Sequence, residues 1–110
     1  MIKVTFYKES EKGLYSGFNV KGHSGYAEAG SDIVCASVSS MVMLFLNMAE
    51  GVYNADAELK IVEKDAEIDY RLKFENEDVS KAIFCLSECI RSVAEDYSRY
   101  VKVSEKTSKL

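Results

Sequence analysis

An α+β fold is predicted for this chain: a two-layer sandwich, with two helices on one face of a mainly antiparallel sheet, in the order ββαββαβ. Three observations carry the prediction. Apolar residues alternate with polar ones at Ile2, Val4 and Phe6, and again from Ala66 to Phe74, which is the period of a strand with one buried face. Two apolar stripes recur at helical spacing, from Val34 to Val52 and from Val79 to Tyr97. The outward strand positions carry charge, so the face of the sheet away from the helices can meet water.

The first strand covers Ile2 to Tyr7, and the polar segment Glu9–Gly13 turns the chain. The second strand runs from Leu14 to Lys21 with Phe18 and Val20 facing in; Gly17 weakens it and marks a bulge. Gly22–Gly30 is a loop, long for a connection that only joins a strand to a helix, and loops of that kind often carry function. Ser31 or Asp32 caps the next helix, expected over 32–50 and stopped by Gly51. Met43 and Leu44 fall off its apolar stripe, so the helix needs cover from a loop or from a second partner. Ala57, Leu59 and Ile61 then pair with the clear strand from Ala66 to Phe74 through the polar turn Glu63–Asp65. Asn76 caps a second helix expected over 77–99, with Glu77 and Asp78 favouring its N-terminal dipole. Val101 and Val103 suggest a short last strand, and the polar tail from Ser104 is expected to fray.

The 110 residues suit one domain, 1–110. A hydrophobic content of 47% with 29% charged residues is ordinary for a soluble globular chain. The formal net charge of −4 offers no basic face, so no direct nucleic-acid partner is expected. The 3 cysteines follow no disulfide framework and point to free thiols in a reducing compartment. The N-terminus alternates like a strand instead of forming the apolar segment of a signal peptide. Ser39, Ser40, Asn47 and Glu50 interrupt the longest apolar stretch, which argues against a membrane span. A cytoplasmic protein without membrane contact is the expectation.

Chemistry concentrates in Gly22–Ser39. His23 is the single histidine, and Cys35 stands twelve positions later, near the start of the first helix. Helix-terminal amides and a nearby imidazolium both favour thiolate, so the pair is the raw material of an activated sulfur nucleophile. Read by residue type alone, Cys35 is a small buried hydrophobe and His23 an ordinary loop histidine. Asp32 either caps the helix or orients His23 as a third group, and Ser39 sits one turn beyond Cys35. Cys85 and Cys89 are four apart on a helix, but zinc needs more ligands than two thiols and one histidine supply. They are read as packing residues, and no metal or cofactor is expected. Gly22-His23-Ser24-Gly25 matches the G-x-x-G clamp of KH domains, yet it follows a strand and carries no Lys or Arg.

Gly22-His23, followed by Ala29-Gly30-Ser31-Asp32-Ile33-Val34-Cys35-Ala36 and Ser39, resembles the signature of the ribosomal-processing cysteine proteases (Prp). Chain length and predicted element order are similar to that family from end to end. The resemblance implies a hydrolase of the thiol protease type that removes a short N-terminal extension from a bacterial large-subunit ribosomal protein, the one numbered twenty-seven, and so serves ribosome biogenesis. It implies a homodimer, Cys35 as nucleophile and His23 as general base, with Asp32 and Ser39 in support. It also implies that the loop carrying Gly22, Ser24, Gly25, Gly30 and Ser31 orders around substrate. In a protease reading of the site, backbone amides at the helix start are the expected oxyanion donors. The alternative from a different class is a non-enzymatic ribosome- or RNA-associated module that uses Gly22–Gly30 as a binding loop.

Overall fold

A computed structural model describes residues 1–28 and 32–110. In order, the elements are β1 (Ile2–Lys8), β2 (Tyr15–Lys21), α1 (Ile33–Gly51), β3 (Ala57–Val62), a 3-10 turn (Glu63–Asp65), β4 (Glu67–Leu72), α2 (Glu77–Asp96) and β5 (Val101–Thr107). Among the described residues, five strands form one sheet in the order β3-β4-β2-β1-β5. The β1–β2, β2–β4 and β3–β4 pairs are antiparallel, and β5 joins β1 in parallel at the far edge. The ββαββαβ order and the α+β fold predicted from sequence are both found, with the two helices packed together on one face.

The core follows the alternation. Val4, Phe6, Phe18 and Val20 from the central strands meet Val34, Val38, Val42 and Phe45 of α1 and Val79, Ile83 and Ile90 of α2. Phe18 stacks on Tyr70 with ring centroids 5.5 Å apart, and Phe45 meets both edge-on at 5.2 and 5.1 Å. Such pairs add about 0.5–1.5 kcal/mol each beyond their burial, and here they tie β2, β4 and α1 together. Gly17 sits beside the predicted bulge: the register passes from Tyr7–Gly17 to Lys8–Tyr15 and leaves Ser16 as the extra residue. A side chain at Gly17 would bring its Cβ to 2.1 Å from the Tyr70 carbonyl oxygen, so the close approach of β4 depends on the glycine.

Several boundaries and faces differ from the sequence reading. Asp32 is the cap and not a helical residue, and α1 takes in Gly51 and leaves Val52 exposed beyond its end. The expected alternative cap, Ser31, and the loop residue Gly30 lie outside the described residues. α2 stops at Asp96, short of 99, and a turn over Tyr97–Tyr100 leads into β5. The tail from Ser104 is not frayed, because β5 pairs with β1 as far as Lys8–Thr107. Tyr15 Oη donates to Glu105 Oε2 at 2.9 Å, and Arg91 Nη2 pairs with the same oxygen at 3.1 Å. Polarity there reflects an edge strand in water, which needs only its backbone ladder. Leu59 and Ile61 are 47% and 56% exposed because β3 lies at the other edge. Among the described residues no loop covers Met43 and Leu44, which are 59% and 63% exposed. By length and composition α1 is apolar enough to cross a membrane, but here its inner stripe is buried in the core.

Tyr70 exposes a testable weakness in that core. Burial pushes its phenol up to about 12, and its hydroxyl has no hydrogen-bond partner among the described residues. Tyr70→Phe keeps the ring contacts and removes an unsatisfied group, so urea denaturation should show stability unchanged or raised by about 1 kcal/mol. Gly17→Ala, by contrast, should destabilise by about 1–3 kcal/mol in the same assay, since the added carbon meets backbone.

Candidate active site

The site is built where β2 leaves the sheet and α1 begins. Gly22 has φ +103°, and its amide donates to the Ala66 carbonyl at 3.1 Å. A Cβ there would lie 2.5 Å from the Met1 carbonyl oxygen, so glycine alone lets the loop turn off the sheet at this point. The turn presents His23 to solvent and sends Ser24 inward, where it is 3% exposed.

Asp32 organises the helix start. Its Oδ1 accepts from the Val34 and Cys35 amides at 3.0 Å each. Its Oδ2 accepts from the Ser24 hydroxyl and, at 3.4 Å, from the Ala27 amide. The Ser24 hydroxyl, followed by the Cys35 amide, holds the Asp32 carboxyl down to about 2. These bonds decide between the two sequence readings of Asp32. It caps the helix, and no bond joins it to His23 among the described residues.

Cys35 is the third residue of α1 and partly exposed. The Ser24 amide donates to its Sγ at 3.3 Å. His23 and Cys35 line one open cleft of about 570 Å3 together with Gly25, Ala27, Asp32 and Ser39. The His23 ring makes no hydrogen bond among the described residues. Ser39 stands exposed one turn beyond Cys35 and bonds neither the thiol nor the helix backbone, while its neighbour Ser37 donates back to the Ile33 carbonyl at 2.7 Å. Gly30 and Ser31, expected in the same loop, lie outside the described residues.

Three features escaped the sequence reading. Ser24, expected only as a loop residue, contacts both the nucleophile candidate and the cap. Tyr26 packs edge-on against Tyr97 and Tyr100 at 5.5 and 5.3 Å and so pins the loop to the end of α2. A lone aromatic in a glycine-rich loop was the available signal, but nothing local names its partners. The amides expected as oxyanion donors are already engaged, Val34 and Cys35 by the Asp32 side chain and Ala36 by the Asp32 carbonyl at 3.1 Å. Cys85 and Cys89 are likewise not packing residues. Both are exposed and line a separate apolar groove of about 300 Å3 between the helices, with Met41, Leu44 and Met48.

The cap gives a pH dependence of definite sign. A carboxyl whose folded value is depressed contributes stability above its ordinary value of 3.8 and loses it as pH falls through about 2. Thermal melts followed by circular dichroism between pH 5 and about 2 should therefore fall more steeply for the parent chain than for Asp32→Asn, which keeps an amide cap without a titrating group.

Residues 1–102 match the family model described as cysteine protease Prp. Over 47 residues the chain is 40% identical to the ribosomal processing cysteine protease Prp of Bacillus subtilis (strain 168), an alignment spanning 43% of this chain and 41% of that protein. The fold superposes on the essential ribosomal processing protease Prp from S. aureus in complex with a covalently linked product peptide, with TM-score 0.89, 20% identity and coverage of 96% of this chain and 100% of that one. The S. aureus protease with a substrate peptide gives TM-score 0.83 at 20% identity over the same shares. SMU.848 from Streptococcus mutans gives 0.82 at 27% identity, covering 98% of this chain and 96% of that one.

Proposed function

Since the chain belongs to the Prp family of cysteine proteases, we propose that it is a cysteine endopeptidase that removes the N-terminal extension of bacterial large-subunit ribosomal protein number twenty-seven and thereby supports ribosome assembly. The observation that carries this reading is the shared cleft: the single histidine and a partly exposed thiol at a helix N-terminus open onto the same space. The likeness to a protease solved with peptides supports a peptide substrate.

In this reading His23 takes the Cys35 proton and the sulfur attacks the scissile carbonyl. The C–S bond forms as the carbonyl π pair moves to oxygen. Collapse expels the amine, which takes the proton from His23, and leaves a thioester. Water, deprotonated by His23, then hydrolyses the thioester and restores the thiol. His23 lines the cleft without a hydrogen bond among the described residues, so a peptide seated there brings the imidazole and sulfur into contact and completes the pair. Ser39 lines the cleft as a supporting polar group, and Gly22, Ser24 and Gly25 belong to the loop that orders around the peptide. The chain acts in the cytoplasm as a homodimer, a reading supported by the uncovered Met43 and Leu44 on α1.

Cys35→Ser and His23→Ala should each abolish cleavage of a peptide spanning the extension junction, followed by mass spectrometry. Iodoacetamide should label Cys35 well before Cys85 and Cys89; equal slow rates for all three thiols would remove the nucleophile assignment. Light scattering at micromolar concentration should return twice the chain mass, and Leu44→Glu should shift it to a monomer.

A further inference from the structure

With the Val34, Cys35 and Ala36 amides engaged within the chain, a further donor would serve the charge that develops on the carbonyl oxygen. We propose that the Ser24 backbone amide is that oxyanion donor, and that the Ser24 side chain is the strut that holds it in place. This rests on Cys35 being the nucleophile. The amide already lies 3.3 Å from Sγ and donates toward it. An acyl carbon bound to that sulfur carries its oxygen one bond further out, within reach of the same N–H without backbone movement.

The side chain fixes that position from both ends. Its hydroxyl donates to Asp32 Oδ2 and accepts from the Tyr26 amide at 3.1 Å. Tyr26 in turn is held by Tyr97 and Tyr100. One buried hydroxyl thus links the loop, the helix cap and the donor amide, so that the N–H is aligned before substrate arrives. Donors aligned in advance stabilise a developing charge without reorganisation at the moment of reaction. In the free protein the N–H rests against sulfur. On attack it passes to the oxygen that receives the carbonyl π pair, and it returns when the tetrahedral carbon collapses.

The test separates charge on oxygen from reactivity of sulfur. Alkylation by iodoacetamide displaces iodide at carbon and forms no oxyanion, whereas peptide cleavage and addition of a peptide aldehyde both place negative charge on a former carbonyl oxygen. Ser24→Ala removes the strut. A semisynthetic full-length chain joined at Cys35, with an ester in place of the His23–Ser24 amide, removes the N–H alone. Cleavage should fall about tenfold or more for Ser24→Ala and about 100-fold for the ester, in kcat more than KM. Aldehyde affinity should fall in parallel, while the Cys35 alkylation rate stays within about twofold of the parent. An alkylation rate that drops together with cleavage would assign Ser24 to the sulfur and overturn the proposal. So would an ester chain that cleaves at the parent rate, whatever the folding of Ser24→Ala. Failure of the underlying reading looks different: Cys35→Ser would then still cleave.

Discussion

The arrangement at the helix start depends on one carboxylate. Asp32 spends one oxygen on the first-turn amides of α1 and the other on the loop, through Ser24 and Ala27. A cap ordinarily satisfies orphan amides and does nothing further. Here it also sets the distance between the loop and the third residue of the helix, which is Cys35. Among the described residues Asp32 makes no bond to His23. His23 stands in the cleft with Cys35, without a hydrogen-bond partner among the described residues.

Behind that junction, the sheet supplies rigidity where it is needed. Gly22 is pinned by the hydrogen bond its N–H donates to the Ala66 carbonyl at the β4 side and by its close approach to Met1 at the start of β1. The loop therefore begins from the middle of the sheet, not from a loose edge. On the other side, Phe18, Phe45 and Tyr70 lock α1 onto β2 and β4. These two anchors fix where β2 ends and how the inner face of α1 packs. Tyr26 adds a third fixed point by engaging the end of α2.

The rest of the surface divides by edge and face. β5 is polar yet ordered, because a parallel ladder with β1 and the Tyr15–Glu105–Arg91 cluster hold it, with Val101 buried and Val103 half-buried against the core. β3 is apolar yet exposed, because the helices do not extend over that edge. The outer face of α1 is likewise bare at Met43 and Leu44.

Much of this was legible in the sequence. Alternation at Ile2–Phe6 and Ala66–Leu72, and the stripes through Val38 and Ile83, determined the strands, the helices and their order. The reason is that period and burial are local properties of a segment facing a core. The Gly-His and Asp-x-x-Cys spacing likewise picked out two residues that line one cleft, His23 and Cys35, since the cap and the thiol share one helical turn. Tertiary structure alone decided which strands are neighbours, and hence that β5 is an ordered edge and that Leu59 and Ile61 are left bare. It alone decided that Asp32 turns toward Ser24 instead of His23, that the helix-start amides are occupied, and that the Ser24 amide faces sulfur. Those outcomes depend on groups that meet across loops and sheets, and a hydrogen bond leaves no trace in the spacing of residues that only folding brings together.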